Sequence, residues 1–346
     1  MGSHRHTPPP GFGRGARVTV LTAAAASAAA MTALPAGADP REPTAASVSE
    51  RVDRLYTQAE QATEQYNATA ETVADLREQV DQAQDQVARG QEKVNRLRGA
   101  LGSLAGAQYR SAGVDPAVTL LLATDPDGYL DKAATLNRIG SRQIGELRDL
   151  RTAQRLLNTR RDRATDRLAE LEDEREKLSK HRKTVQGKLA AAQRLLNTMS
   201  AQERREREER ERASRQAARP AATATGVAAG ASGRAGAALA AAQTAVGSPY
   251  GWGQAGPHAF DCSGLTQWAY GRAGVSIPRT SQAQAHAGQR VPLAQARPGD
   301  LVLYRGDASH VAIYAGGGQV IHAPYPGAQV RYDPVNMMPV SAVTRP

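Results

Sequence analysis

The chain has 346 residues, and its 44 lysines and arginines against 34 aspartates and glutamates give a formal net charge of +10 at pH 7. This excess does not indicate a nucleic-acid partner, because most arginines alternate with glutamates in long helical segments. Cys262 is the single cysteine, which excludes an intramolecular disulfide framework. Its thiol is therefore a buried apolar group, half of an intermolecular bridge, or a nucleophile.

Residues 1–38 have the layout of a secretory signal peptide. Arg14 and Arg17 precede an alanine-rich apolar run over 18–34, and Ala36-Gly37-Ala38 supplies a small-x-small cleavage pattern. We expect removal after Ala38 and a secreted, cell-wall-associated protein. An uncleaved membrane anchor is the alternative, although the core is short for a spanning helix.

Residues 39–215 are predicted to form a helical coiled coil. Apolar and small residues alternate at spacings of three and four from Val52 to Leu101, a pattern typical of a coiled coil. A second seam consists of Leu147, Leu150, Leu157, Ala164, Leu168, Leu171, Leu178, Val185, Leu189, Ala192, Leu196 and Met199. Two such helices most simply form an antiparallel hairpin, with a parallel dimer as the alternative.

Three shorter segments flank or interrupt the coiled coil. The apolar segment Ala117–Leu122 lies near the predicted hairpin tip and is either a membrane or partner contact or a small capping helix. The run Glu203–Arg212 is almost pure Glu and Arg, which predicts a solvated helix end. Residues 216–236 are rich in Ala and Gly and predict a flexible linker.

Residues 237–346 are predicted to form one compact α+β domain, since about 110 residues suffice for a single core. The expected elements are a helix over Ala237–Val246, a helix starting near Cys262, strands over Asp300–Tyr304, His310–Tyr314 and Gln319–His322, and a last strand near Val330. This segment holds four of the seven histidines.

Cys262 is predicted to lie in the first turn of its helix, because Asp261 is a plausible N-cap. The unpaired N–H groups and the helix dipole favour an anion there, which lowers a thiol pKa and makes the thiolate a nucleophile. A small, inert buried cysteine at a helix start is the plain alternative.

His310 and His322 flank three consecutive glycines, which predicts a β-hairpin. A loop centred on Gly316 would set the two histidines opposite each other, with Cβ atoms about 5 Å apart. One imidazole would then accept the thiol proton while the other orients it. A zinc site of these two residues with Cys262 is the rival, but the ligands lack close spacing, so we expect no metal and no cofactor.

The C-terminal segment resembles the NlpC/P60 cysteine peptidases over about a third of the chain. The resemblance rests on Gly247–Gly253 (GSPYGWG), Phe260–Leu265 (FDCSGL), Ile277–Ser281 (IPRTS), Arg297–Val302 (RPGDLV), His310–Tyr314 (HVAIY) and Val320–Pro324 (VIHAP), in the family's order and spacing. It implies a papain-like α+β fold with Cys262 as nucleophile, His310 as base and His322 as orienting group.

The resemblance also implies a set of substrate-binding residues. Tyr250 matches a family tyrosine whose hydroxyl lies near the thiol, and the segment from Arg279 to Ser281 matches the lining of the substrate cleft. Asp261 and Ser263 flank the nucleophile and are expected to bind substrate with them. Relatives that trim free muropeptides carry Asp where this chain has Thr280, so strict recognition of a free amino terminus is not expected.

The implied function is that of a secreted peptidoglycan endopeptidase that cuts stem peptides between D-γ-glutamyl and the diamino acid. Peptidoglycan is the expected partner. The coiled coil would dock a membrane division or transport complex or occlude the cleft, with a plain spacer reaching into the wall as the alternative. Two alternatives remain: an amidase or acyltransferase on the same triad, and a non-catalytic wall-associated scaffold.

Overall fold

The structure, a computed structural model, describes residues 45–110, 118, 126–218 and 233–346. The predicted signal peptide, the apolar segment Ala117–Leu122 apart from Val118, and most of the predicted linker lie outside these residues. In the described ranges, no helix combines the length and apolar character needed to cross a bilayer.

Helices form the first part of the described chain and an antiparallel sheet follows. The helices are α1 (Ala45–Arg110), α2 (Pro126–Thr198), α3 (Ala201–Ala218), α4 (Gly233–Thr244), α5 (Cys262–Arg272) and α6 (Ser281–Gln284), with a 3₁₀ turn at Leu293–Gln295. The strands are β1 (Gln289–Arg290), β2 (Leu301–Tyr304), β3 (His310–Gly316), β4 (Gln319–His322), β5 (Arg331–Pro334) and β6 (Val340–Arg345). The predicted α+β class is confirmed.

The two long helices pack side by side in opposite directions. Arg161 Nη2 on α2 donates to Gln91 Oε1 on α1 at 2.6 Å, and Lys188 Nζ donates to Gln58 Oε1 at 2.7 Å. Residue numbers rise on one helix while they fall on the other, so the pair is antiparallel, as predicted.

Burial between these helices follows a seven-residue spacing. The buried residues of this kind are Val52, Ala59, Val73, Val80 and Val94 on α1, and Leu157, Ala164, Leu171, Val185, Ala192 and Met199 on α2. The prediction is wrong for Leu147 and Leu168, which are 44% and 40% exposed. Both belong to the α2 heptad position that also carries Gln154 and Arg161, so this half of the seam is too polar to stay buried.

The sheet has the strand order β1-β6-β2-β3-β4-β5, with every neighbouring pair antiparallel. One face carries Leu301, Leu303, Val311, Ile313 and Ile321, which share a core with residues of α4 and α5. The opposite face carries a smaller cluster of Val302, Tyr304, Ala312, Val320 and Val343. The packing of α5 against this sheet brings Cys262 to the start of β3.

The β3–β4 hairpin has a different register from the predicted one. Ile313 pairs with Ile321, with a bulge between Tyr314 and Gly316, so the same register carried one step further places His322 level with Ala312. The prediction that His310 lies directly opposite His322 is therefore wrong by two residues. The two imidazoles still share a face, because residues two apart on a strand point the same way.

Gly264 allows the start of α5 to press against the preceding loop. A Cβ added at this position would lie 2.2 Å from the carbonyl oxygen of Gln254 and 2.9 Å from Ala255 Cα. Both atoms belong to the backbone and cannot swing away as a side chain would. The loop and the helix that carries Cys262 are therefore held at a spacing that only glycine permits.

We expect Gly264→Ala to lower the free energy of unfolding by about 1–3 kcal/mol, because the backbone must shift to remove the clash. Gly271→Ala is the matched control on the same helix, since nothing lies within 4 Å of its added Cβ. It should be neutral or stabilising by up to about 1 kcal/mol. Thermal unfolding of both variants checks this, and equal midpoints would contradict the close-approach argument.

Candidate active site

Cys262 is the first residue of α5, as the sequence predicted. Asp261 is the N-cap, with extended backbone angles of −89° and 178°, and its Oδ1 accepts the Gly264 N–H at 2.7 Å. The thiol is 2% exposed. A short polar side chain before an apolar helical face fixes this helix start, and the cap orients the thiol towards the cleft.

Asp261 and Arg279 form a buried bidentate ion pair. Arg279 Nη1 and Nη2 donate to the two carboxylate oxygens at 2.9 and 2.6 Å, and the Gly253 N–H donates to Oδ2 at 2.9 Å. These contacts join the nucleophile helix to the segment that ends at Ser281. Both predicted substrate-binding charges are thus engaged with each other in this structure, while Ser263 Oγ and the Ser281 N–H face the cleft.

Thr280 and Tyr250 also border the cleft. Thr280 caps α6, with its Oγ1 accepting the Ala283 N–H at 3.3 Å. Burial raises the pKa of Tyr250 well above its ordinary value, and the nearby Asp261 and Cys262 raise it further. Tyr250 therefore stays a protonated phenol close to the thiol.

Three buried side chains form a hydrogen-bonded line across β3, β4 and β5. His310 Nε2 lies 2.8 Å from His322 Nδ1, and His322 Nε2 lies 2.8 Å from Asp333 Oδ2. Arg331 Nε donates to the same oxygen of Asp333 at 2.7 Å. Sequence reasoning missed Asp333; the only available signal was an acidic residue two positions after Arg331, on the same face of a strand.

The charge states of this line follow from its burial. Burial lowers the pKa of His322 to about 4, although the hydrogen bond with Asp333 opposes the shift. Burial alone would raise the pKa of Asp333, but its bonds with His322 and Arg331 outweigh this and hold the pKa below the ordinary value. His322 is therefore neutral and Asp333 ionised near neutral pH.

The zinc alternative does not fit this geometry. Both ring nitrogens of His322 already have hydrogen-bond partners, so the ring has no free lone pair for a metal. Among the residues that the structure describes, no group of three Cys, His, Asp or Glu side chains is arranged to hold a metal ion.

Helix α1 places a carboxylate inside the cleft. Glu64 Oε1 accepts from Ser263 Oγ at 2.7 Å and lies 3.6 Å from the sulfur of Cys262. Its Oε2 accepts the Ser281 N–H at 2.8 Å, and the residue is 2% exposed. Glu64 therefore fills the space beside the thiol that a substrate would need.

A second carboxylate of α1 faces the histidine line. Glu60 Oε1 lies 3.3 Å from His310 Nδ1, and Oε2 accepts from Arg305 Nη1 at 2.6 Å. No hydrogen bond of good geometry reaches this Nδ1, which is buried. Burial would raise the pKa of Glu60, but His310 and Arg305 together lower it, so the carboxylate stays ionised.

Further contacts extend this polar stripe, which we define as Glu60, Glu64 and Asn67. Asn67 Nδ2 donates to Asp261 Oδ2 at 3.1 Å, and beside it the ring of Tyr66 meets Trp252 edge-on at 5.2 Å. The spacing of four and three places the stripe on one helix face. Sequence reasoning missed it, because a polar stripe on a coiled-coil helix usually faces water and its hydrogen-bond partners lie 194 to 245 residues further along the chain.

Helix α3 makes a second attachment between the helices and the C-terminal domain. Arg207 bonds to Asp53, and Tyr325 Oη donates to Glu211 Oε2 at 2.6 Å. Tyr325 also stacks on Tyr56 of α1 with ring centroids 4.9 Å apart. The prediction of a solvated helix end is wrong for Arg207, whose side chain is only 13% exposed.

In this arrangement, burial and the surrounding carboxylates keep the thiol of Cys262 protonated. Burial raises the pKa of Cys262 well above its ordinary value, and the carboxylates of Glu64, Asp261 and Glu60 raise it further, while the Val311 N–H opposes them. The predicted lowering of the thiol pKa at the helix start is therefore wrong for this state. Two of the three carboxylates responsible belong to α1.

The fold is an α+β domain with Cys262 at a helix start and a hydrogen-bonded pair of His310 and His322. Residues 247–344 match the NlpC/P60 family, so the chain contains a domain of this family. The resemblance identified from the sequence motifs is confirmed.

Similar proteins match this C-terminal domain. A probable endopeptidase of Corynebacterium glutamicum is 50% identical over 105 residues, 30% of this chain and 50% of that protein. A probable endopeptidase of Mycobacterium bovis is 49% identical over 96 residues, 28% of this chain and 25% of that protein. The solved structure of the peptidoglycan hydrolase RipB of Mycobacterium tuberculosis is 35% identical and covers 32% of this chain and 64% of that chain, with a TM-score of 0.31. The chain spans half or less of the length of the two curated relatives.

Proposed function

We propose that the protein is a secreted, wall-associated peptidoglycan endopeptidase that uses Cys262 as its nucleophile. The observations that carry the proposal are the placement of Cys262 at a helix start within an NlpC/P60 domain, against the N–H of Val311 that follows His310, and the hydrogen bond between His310 and His322. The relatives named as endopeptidases support the reaction class, and the match to the NlpC/P60 family supports peptidoglycan as the substrate. The bond proposed is that between D-γ-glutamyl and the diamino acid.

In the proposed mechanism the thiol gives its proton to His310 and the sulfur attacks the scissile carbonyl. The backbone N–H of Cys262, at the start of α5, donates to the developing oxyanion. His310 then protonates the leaving amine, and water releases the acyl group from the sulfur. Ser263 Oγ, the Ser281 N–H and Tyr250 line the cleft on the substrate side.

We also propose that α1 holds the enzyme in an inhibited state. Glu64 occupies the cleft at the thiol and Glu60 faces the base, so substrate and α1 compete for the same space. Charge favours the docking, because residues 237–346 contain seven arginines, four aspartates and no glutamate or lysine. Activation then requires release of α1, for which a membrane division or transport complex bound to the helical pair is the proposed trigger.

Cys262→Ala should abolish cleavage of defined muropeptides, because the variant lacks the nucleophile while the helix start is kept. Mass spectrometry of the products reads both the loss and the bond cut by the parent protein. Cleavage that persists in the variant would contradict thiol catalysis. Products cut at the sugar-to-peptide amide, or joined to a new amine, would identify an amidase or acyltransferase instead.

Glu64→Lys should raise the rate of sacculus digestion by the full chain about tenfold or more. The ammonium would be buried beside Arg279, and the nearby Asp261 carboxylate is already paired with that guanidinium and two backbone N–H groups. Such poorly compensated buried charge costs several kcal/mol, so α1 leaves the cleft. Glu78→Lys is the matched control, two heptads further along α1 at an exposed position. Equal rates for the wild type and both variants would contradict inhibition by α1.

Docking of α1 should weaken as the pH rises from 4.5 to 7. Burial and the nearby Asp261 raise the pKa of Glu64 in the docked state from 4.5 to about 7, so docking takes up a proton. This contribution is complete below pH 4.5 and is lost as pH rises through about 7. Glu60 does not interfere in this window, because its docked pKa is lowered and stays below the ordinary 4.5.

The fluorescence of Trp252, which contacts Tyr66 of α1, provides the measurement. Its emission should shift towards that of exposed tryptophan over this pH range in the wild type. Glu64→Gln, which cannot titrate, should lack this component of the shift. The same pH profile in both proteins would rule out Glu64 as the titrating group.

A further inference from the structure

Asp333 ends a buried line of polar groups that begins at the proposed base. His310, His322 and Asp333 are 0%, 1% and 5% exposed, so water does not compete for their hydrogen bonds. Val320 on β4 pairs with Asp333 on β5, so Asp333 lies two residues off register from His322. His310 is offset from His322 in the same way on β3, and the three side chains run diagonally over one sheet face.

With α1 out of the cleft, the hydrogen bonds of this line determine where its protons lie. An ionised carboxylate can only accept, so His322 Nε2 must carry the proton of its 2.8 Å bond with Asp333. In the neutral ring of His322, Nδ1 then has a lone pair and accepts from His310 Nε2. Once α1 has withdrawn the Glu60 carboxylate that lies 3.3 Å from Nδ1, the remaining nitrogen of neutral His310, Nδ1, is left with the lone pair.

That nitrogen is the one available to the thiol. His310 Nδ1 is buried and has no hydrogen bond of good geometry, and it points at the carboxylate with which Glu60 of α1 covers the cleft. Once α1 has left, Nδ1 is the only ring atom of His310 able to accept a proton from the cleft side. A proton already on Nδ1 would leave the ring without a basic nitrogen there.

Arg331 keeps Asp333 in its role as acceptor. Arg331 Nε donates to the same Oδ2 that His322 contacts, and its guanidinium lies 5.5 Å from the ring centroid of Tyr325. Because a guanidinium is always protonated, this position can only be occupied by an acceptor atom. The pair therefore fixes both the charge and the orientation of the Asp333 carboxylate.

We propose that Asp333, held by Arg331, is a positioning residue that sets the tautomers of both histidines and leaves the basic lone pair on His310 Nδ1. The inference rests on the proposed thiol mechanism and adds a fourth member to its Cys-His-His arrangement. The thiol proton moves to His310 Nδ1, His322 stays neutral, and Asp333 stays ionised and stabilises the imidazolium through His322. Asp333 takes up no proton in the reaction.

The test is carried out in the full chain with Glu64→Lys, so that α1 is out of the cleft in every protein compared. Asp333→Ala should lower kcat about a hundredfold or more with little change in KM, because His322 can then adopt either tautomer. Asp333→Glu should recover part of the loss. An unchanged kcat in Asp333→Ala would overturn the proposal.

A double substitution separates positioning from simple structural support. In Asp333→Asn alone, Arg331 holds the amide oxygen towards His322, so the tautomers are kept and kcat should fall only severalfold. Arg331→Met alone keeps the carboxylate and should also have a small effect. In the double variant the amide can turn its NH₂ towards His322 Nε2, which reverses both tautomers and should reduce kcat by far more than the product of the single effects.

Nitrogen-15 NMR of labelled histidine gives a readout that needs no substrate. His310 and His322 should both be protonated at Nε2 in the parent and in Asp333→Asn, and at Nδ1 in the double variant. Additive kinetic effects with unchanged tautomers would show that Asp333 has only a structural role and would overturn the proposal.

Alkylation of Cys262 by iodoacetamide separates this inference from the proposed function. The alkylation rate should follow the same order as kcat across the variants, since His310 accepts the thiol proton in both reactions. If no variant cleaves muropeptides while the tautomers and alkylation rates behave as stated, the endopeptidase proposal fails and the role of Asp333 stands. If cleavage depends on Cys262 but neither tautomers nor alkylation respond, the role of Asp333 fails alone.

Discussion

The buried carboxylate of Glu64 is the contact on which the state of this molecule depends. Moving an ionised carboxylate out of water costs several kcal/mol, and the cleft repays this only through the Ser263 hydroxyl, the Ser281 N–H and the nearby Arg279. The pKa of about 7 shows how incomplete that compensation is. In the proposed regulation, a contact so weakly compensated holds α1 in place and still allows its release, which a fully apolar contact surface would resist.

The buried Glu64 affects both the access of substrate to Cys262 and the protonation of its thiol. Glu64 blocks the approach to Cys262 and, together with Glu60, keeps the thiol protonated, so the docked helix both fills the cleft and removes the nucleophile. Departure of α1 takes away two of the three carboxylates that act on the sulfur. The helix start, the Val311 N–H and His310 then remain to favour the thiolate. In the proposed activation, one movement of α1 therefore opens the cleft and lowers the pKa of the thiol.

Local features of the site could be predicted from the sequence, and distant pairings could not. Asp261 and Cys262 lie next to each other in the chain, so a capping rule was enough to place the thiol. The predicted register of the β3–β4 hairpin was wrong because β3 has a bulge between Tyr314 and Gly316. Nothing in the sequence beside the glycine run indicates this extra residue. Glu64 meets Ser263 across 199 residues, and no periodicity in α1 distinguishes a stripe that faces a domain from one that faces water.

The position of the polar stripe within α1 decides how release must occur. Glu60 follows Ala59, and Glu64 lies two residues beyond Ala62, and both alanines are buried, at 2% and 5% exposure. A rigid helix cannot move one of these faces without the other, so a change in the packing of α1 against α2 must also shift the stripe in the cleft. The proposed trigger can therefore act on Cys262 by altering the helical pair, without entering the site.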